Sequence, residues 1–141
     1  MIRSFTAADM DAVLSIWLAA SIKAHDFVAA EFWQSQVKNM RDIYLPASEV
    51  HVYVQDTHVV AFYALHENNL AAVFVSPDKQ GQGIGKALVN DAKKRRKELT
   101  LSVYQKNLAS YHFYLSQGFH VIREEVDENT GCREYFMCLR R

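Results

Sequence analysis

Gln80-Gly81-Gln82-Gly83-Ile84-Gly85-Lys86, entered through Val73-Phe74-Val75 and the breaker Ser76-Pro77-Asp78-Lys79, is the stretch that decides the fold. The apolar residues end a strand and the glycines open a helix, so successive backbone amides can converge on one point. The first N–H groups of a helix lack internal acceptors and lie at the positive end of its dipole, and glycine lets a ligand approach the backbone unobstructed. The segment therefore reads as a cradle for a phosphate or pyrophosphate. Its spacing excludes two other phosphate loops. A P-loop has four residues between its first glycine and Gly-Lys and continues with Ser or Thr, whereas three residues separate Gly81 from Gly85 and Ala87 follows Lys86. The dinucleotide pattern Gly-x-Gly-x-x-Gly fails as well, because its third glycine falls on Lys86 or Leu88.

On the amino-terminal side, residues 1–5 read as a strand, and Thr6 with Asp9 forms a Thr-x-x-Asp capping box ahead of Met10, Val13, Leu14, Trp17 and Leu18, one face of a helix. A second helix follows Asp26, placed as its N-cap, with Ala29, Trp33, Val37, Met40 and Tyr44 on the buried side, and Leu45-Pro46 ends it. The period then changes to two. His51–Gln55, Val59–His66 and Leu70–Val75 read as antiparallel strands joined by turns at Asp56-Thr57 and Asn68-Asn69. Beyond the glycines, residues 83–96 are helical with Ile84, Ala87, Leu88 and Ala92 inward, and Leu99–Val103 is a strand. Leu108–Ser116 is a short helix stopped by a left-handed Gly118, and His120–Val126 pairs with Arg133–Leu139 around Asn129-Thr130-Gly131. The element order is β-α-α-β-β-β-α-β-α-β-β.

The pattern of Gln80, Gly83 and Gly85, with Pro77 just upstream, resembles the Gln/Arg-x-x-Gly-x-Gly/Ala signature of the GNAT superfamily of N-acetyltransferases. The likeness continues through Leu101-Ser102-Val103-Tyr104-Gln105-Lys106-Asn107 and Ala109–Phe119, where Phe113-Tyr114 and Gly118-Phe119 match the family's helix and Phe-Tyr-x-x-x-Gly-Phe ending. The resemblance implies an α/β (α+β) GNAT fold: a mixed, mostly antiparallel sheet of six to seven strands flanked by some four helices. It also implies that Gln80, Gly81, Gln82, Gly83, Ile84, Gly85 and Lys86 hold the pyrophosphate of acetyl-CoA. The backbone of Phe74 and Val75 would run along the pantetheine arm in a gap between splayed strands. Asn107 resembles the family asparagine near the cofactor, while its place before residue 108 equally suits a helix N-cap. Phe113 and Phe119 are expected to fill the core.

Acetyl transfer needs a neutral amine, donors for the developing oxyanion and help for the departing thiolate. By resemblance, Tyr114 holds the general-acid position; with a reference pKa of about 10 it stays protonated at neutral pH and can donate. Many GNAT enzymes carry a glutamate on the strand before the glycine loop, but Leu70-Ala71-Ala72-Val73-Phe74-Val75 contains no ionisable group. The base is therefore sought elsewhere, at Glu67 or His66 after the preceding strand, or at His25 or Asp26 between the first helices. Of these, Glu67 and His25 are carried forward beside Tyr114 as the catalytic set. Freeing a lysine amine of pKa about 10.4 at neutral pH costs about 4.6 kcal/mol, against about 1 kcal/mol for an α-amino group, so lysine wants a placed base. Trp33, Tyr44, Tyr63 and Tyr104 are available either to line an acceptor site or to fill the core.

The 141 residues suit one domain spanning 1–141 around one core, and half of them are apolar or aromatic. Lys plus Arg (16) balances Asp plus Glu (16), which gives no global charge for nucleic acid or a membrane surface. The basic run Lys93-Lys94-Arg95-Arg96-Lys97 lies at a helix carboxyl end, where cations complement the dipole. No signal-peptide or spanning pattern is expected, so a cytoplasmic protein is the reading. Cys132 and Cys138 match no metal-ligand spacing, and no metal is expected. The expected partners are acetyl-CoA and an amine acceptor, protein or small molecule, with the chain a monomer or homodimer. The rival to an enzyme is a non-catalytic module that binds acyl-CoA and reports it to a partner; the missing strand glutamate favours the module, Tyr114 the enzyme.

Overall fold

The computed structural model describes residues 1–140. Among these, seven strands form one sheet: β1 (Ile2–Ser4), β2 (Glu49–Gln55), β3 (His58–His66), β4 (Asn69–Val75), β5 (Glu98–Tyr104), β6 (His120–Val126) and β7 (Arg133–Arg140), in the spatial order β1-β2-β3-β4-β5-β7-β6. Every neighbouring pair is antiparallel except β4 and β5, which run parallel. The four helices are α1 (Met10–Ala24), α2 (Ala30–Asn39), α3 (Ile84–Arg95) and α4 (Leu108–Ser116), so the element order matches the sequence expectation.

Period-two alternation divides the core in two. On β3, Phe62 and Ala64 face α1 and α2, joining Val13, Leu14, Trp17, Trp33 and Val52; Ala61, Tyr63 and Leu65 face the other way, joining Leu88, Val89, Leu101 and Met137 around α3. Successive side chains of a strand point to opposite faces, so β3, buried on both, contributes to both halves of the core. Leu99, Leu101 and Val103 of β5 are buried on the α3 side, whereas Ser102 and Tyr104 turn toward the other face.

Local departures from expectation have physical causes. α2 begins at Ala30 with Ala29 as its N-cap, because Val28 N–H donates to His25 O and Phe32 N–H to Ala29 O, keeping residues 25–29 in a turn. Asp26 is therefore not the cap. A π-helical turn, Met40–Tyr44, follows Asn39 and leaves Tyr44 exposed instead of buried. The β3–β4 turn lies one residue earlier than the letters suggest, with Glu67 in the left-handed region at φ 56°. Arg95 and Arg96 of the basic run are tied into the fold: Arg96 pairs with Glu49 at 3.0 Å, and Arg95 donates to Asp91 and to the Tyr63 hydroxyl.

Asp9 fixes the entry to α1. It is buried, accepts from the backbone N–H of Thr6 at 2.8 Å, and takes two hydrogen bonds from the Arg3 guanidinium, at 2.8 and 3.0 Å. The Arg3 contact, aided by Thr6, holds its carboxyl down at about 2. A depressed carboxyl stabilises the fold above the unfolded pKa near 3.8 and gives that up as pH falls through about 2. Asp9→Asn is expected to lower unfolding free energy in urea at neutral pH by about 1–2 kcal/mol, discounted for the partly exposed Arg3. The difference from the parent should shrink as pH falls through about 2; a deficit that is the same at neutral and at low pH would show that the ion pair is not its source.

Candidate active site

β4 and β5 are in register only at Asn69 and Thr100, next to the Thr100 N–H to Asn68 O bond of 3.0 Å, and then diverge. The gap opens into a cleft of about 1030 Å³ that runs from the glycine loop, past α4, to the turn between α1 and α2 and the start of β7. The register of β3 with β4 settles which backbone groups face it. Ser76 N–H donates to Val60 O, so alternation gives Phe62–Phe74 a hydrogen-bonded position and leaves Val73 and Val75 with their N–H and C=O directed toward β5. Phe74 and Val75, expected along the pantetheine arm, both line the cleft, and so does Val73. Phe74 bonds through its backbone to β3 and stacks its ring on Phe62 at 5.7 Å, so the main-chain groups that face the gap are those of Val73 and Val75.

At one end, Gly81 and Gly83 adopt φ of 81° and 82°, conformations that open the loop before α3, and a Cβ at either would meet no atom within 4 Å. Backbone freedom, not crowding, requires these glycines. Gly85 differs: its missing Cβ faces the ring of Phe113 at 3.5 Å, so it sets the approach of α3 to α4. Gln80 folds back, Nε2 donating to Val75 O at 3.2 Å, and its Oε1 accepts from Lys23 of α1. Gln80, Gly81, Gly83, Ile84, Gly85 and Lys86 line the cleft, with Lys79 beside them. Gln82 does not; its amide oxygen accepts from Gln55 Nε2 at 3.4 Å, on the side of the β2–β3 turn. Uncapped helix N–H groups, left-handed glycines and lysines at one mouth fit a pyrophosphate.

Midway lie Tyr114 and Asn107. Burial pushes the Tyr114 phenol above its ordinary value, so it is a neutral donor across the physiological range. The Asn107 side chain caps α4, Oδ1 accepting from Ser110 N–H at 3.3 Å, which turns its Nδ2 toward His25 Nε2 at 3.2 Å. Asn107 is thus the N-cap of α4 and also lines the cleft. Phe113 lines the cleft as well as packing on Gly85, and Phe119 is core.

His25 lines the cleft inside a ring of aromatics, with Tyr104 at 4.9 Å, Trp33 at 5.3 Å and Phe27 at 5.7 Å. Burial lowers its imidazole to about 4, so it is neutral at neutral pH. Since Asn107 Nδ2 can only donate, Nε2 must be the accepting nitrogen and Nδ1 carries the hydrogen. Asp26 is exposed at the rim. Glu67 and His66 are not brought to the site: they lie at the closed end of the strand pair, outside the cleft lining, and Glu67 instead offers its carbonyl to Arg96. Of the aromatics left open, Trp33 and Tyr104 line the cleft, Tyr63 is core, and Tyr44 borders a small side pocket of about 140 Å³ with Phe32 and Asp127.

The carboxylate that does line the interior of the acceptor half is Glu134, near the start of β7 and in register with Tyr104 of β5. Burial, with Asp127 and Glu125 close by, pushes its carboxyl up to about 7. No local motif marks it. Only the β5–β7 register, which depends on the whole sheet, carries it from the end of the chain to the cleft. Among the described residues, no three His, Cys, Asp or Glu side chains gather to hold a metal ion, and no helix is long and apolar enough to cross a membrane.

A parallel strand pair that splays beside a glycine-opened helix, with a neutral tyrosine in the gap, is the arrangement that the resemblance to the GNAT acyltransferases implies. The chain matches the acetyltransferase (GNAT) domain over residues 18–140 and belongs to that family. It is 37% identical to the Escherichia coli peptidyl-lysine N-acetyltransferase YiaC, over 97% of this chain and 94% of that one. It is 31% identical to Escherichia coli YjaB, also a peptidyl-lysine N-acetyltransferase, over 90% and 87%. The solution structure of apo YjaB superposes with a TM-score of 0.86 over 98% of this chain and 95% of that one, at 28% identity. The PaiA N-acetyltransferase of Thermoplasma acidophilum, solved with coenzyme A, shares the fold at a TM-score of 0.85 over 100% and 98%, with 18% identity. The chain is thus an N-acetyltransferase of the GNAT family. Gly83→Ala, which forces a side chain into the left-handed region, is expected to destabilise the protein by about 1 kcal/mol. The same change should weaken coenzyme A binding in calorimetry by roughly tenfold, worth about 1.4 kcal/mol; unchanged affinity would remove the loop from the donor site.

Proposed function

We propose that this chain is a single-domain, cytoplasmic enzyme that acetylates the ε-amine of lysine side chains in proteins. The observation that carries the reading is the continuity of one cleft from the glycine loop, past Tyr114, to the α1–α2 turn and Glu134 near the start of β7. A donor can enter at one mouth and a side chain on a larger molecule at the other. Direct transfer within a ternary complex follows from that arrangement. The names of YiaC and YjaB support lysine over other amines, and an intracellular thioester donor supports a cytoplasmic site of action.

In this reading the loop from Gln80 to Lys86 holds the pyrophosphate, chiefly through backbone N–H groups, and Val73 and Val75 offer main-chain partners to the pantetheine arm. Tyr114 donates to the sulfur as the thioester opens. Its raised pKa makes complete proton transfer to a thiolate of pKa about 8.5 uphill, so its main effect is a hydrogen bond that strengthens as charge develops. His25 is a positioning residue and not the base: its Nε2 lone pair is engaged by Asn107, and its conjugate acid is too acidic to hold a proton taken from an amine. Glu67 has no part in proton transfer.

Incubation with acetyl-CoA and lysine-containing peptides should release free thiol and leave acetyl-lysine by mass spectrometry. Tyr114→Phe should lower kcat by roughly 10²-fold with little change in coenzyme A affinity. Equal kcat in the two forms would take Tyr114 out of the mechanism, and failure of every lysine peptide beside turnover of another amine would refute the acceptor.

A further inference from the structure

The acceptor arrives at neutral pH as an ammonium ion, and its nitrogen cannot attack until one proton has left. The cleft must therefore contain a group that attracts the cation and can accept its proton. β4 carries no ionisable side chain, Glu67 is elsewhere, and His25 is already engaged. Glu134 meets the requirement by position: it lines the cleft, and among the described residues its carboxylate has no hydrogen-bond or ion-pair partner.

We infer that Glu134 is the acceptor-side catalytic residue of this reaction, its carboxylate receiving the ammonium of the incoming lysine and taking the proton that must leave before nitrogen attacks. This rests on the amine-acceptor reading above. The groups around it are arranged for that work. Tyr104 of β5 lies opposite it on one side and Glu125 of β6 opposite it on the other, Glu125 being paired with Arg123 at 3.4 Å. Asp127, in the β6–β7 turn, accepts from the Tyr104 hydroxyl and from Asn129 N–H. His25 and Asp26 border the same cleft from the α1–α2 turn, and Lys106, over the ring of Phe27 at 5.7 Å, borders it from the segment after β5. The near neighbours on β6 and in the turn are anionic, so the pocket attracts a cation. Burial first, and then these anions, raise the proton affinity of Glu134 and bring its carboxyl to about 7, where it is half ionised at neutral pH and far closer to an amine than an ordinary glutamate.

The protons balance. One passes from the ammonium to Glu134, freeing the nitrogen lone pair. That pair forms the C–N bond to the acetyl carbon as the C–S bond breaks. The second nitrogen proton is lost to water as the amide forms, and the sulfur departs as a thiolate held by the Tyr114 hydrogen bond and takes its proton from water. Glu134 returns its proton to solvent before the next turnover.

The test is Glu134→Gln, assayed by thiol release with a lysine peptide, a peptide with a free α-amine, and spermidine. Wild-type kcat/KM should rise with pH through about 7 as Glu134 ionises. The Gln variant should lose at least a hundredfold in kcat/KM together with that limb, at unchanged coenzyme A affinity, and Glu134→Asp should restore part of the rate. Asp127→Asn should move the limb to lower pH, which a structural role for Glu134 would not explain. Retention of the wild-type rate and limb by the Gln variant would overturn the assignment. If the wild type turns over only a non-lysine amine, the lysine reading fails while Glu134 is still judged on that amine. Carboxyl-carbon NMR judges it independently of turnover. A Glu134 midpoint near 7 that falls on addition of a lysine peptide supports the role, and an ordinary carboxylate midpoint that the peptide does not move overturns it.

Discussion

The single register contact between β4 and β5, at Asn69 and Thr100, is the constraint on which the site depends. Parallel strands normally continue their ladder until both end, because an unpaired buried N–H or C=O is costly. Here pairing stops after one residue pair, and the edge of β4 is left with the main-chain groups of Val73 and Val75 turned to the cleft. A ligand with its own amides can complete that edge as a further strand would. The same divergence explains why β4 is half-buried along most of its length while its neighbour β3 is buried over six consecutive residues.

Everything chemical is then placed by elements that hold the two strands apart. α3 enters on left-handed Gly83 and approaches α4 through the Gly85–Phe113 contact, which sets Tyr114 at the gap. On the other face, α1 and the following turn bring His25 into its aromatic ring, and the hydrogen bond to Asn107 links that turn to the start of α4 across 82 residues of sequence. The result is a cleft with two chemically distinct halves. Glycines and lysines mark the donor mouth, while aromatic rings and the Glu134 carboxylate mark the other. Between them lies Tyr114, a neutral donor placed for the partial charges that develop there.

How much of this was legible in the sequence follows from the range of the interactions involved. Strands, helices, the glycine loop and the capping of α4 by Asn107 are set within a few residues by periodicity and backbone chemistry, and they were readable. The start of α2 was missed because Asp26 is a good cap residue in isolation, and the competing turn bonds His25–Val28 and Ala29–Phe32 leave no trace in composition. Which backbone groups of β4 face the gap depends on the β3 register, a long-range property that the letters of β4 do not carry. Glu67 stands near a β4 that lacks the glutamate many relatives carry on this strand, but it lies at the closed end of the strand pair. Glu134, a glutamate among several in a terminal hairpin, acquires meaning only when β7 inserts between β5 and β6.

The central claim is that acetyl-CoA lies in the gap between β4 and β5 with its phosphates on the α3 amino terminus. Amide proton–nitrogen correlation spectra recorded during titration with acetyl-CoA test it most directly. The account predicts the largest shifts at Val73, Val75, Gly81, Gly83, Ile84, Gly85 and Lys86, with the amide of Phe74, bonded to β3, changing less than those of its two neighbours. Perturbations that leave these amides in place and map instead to β1, β2 or the β6 edge would contradict it.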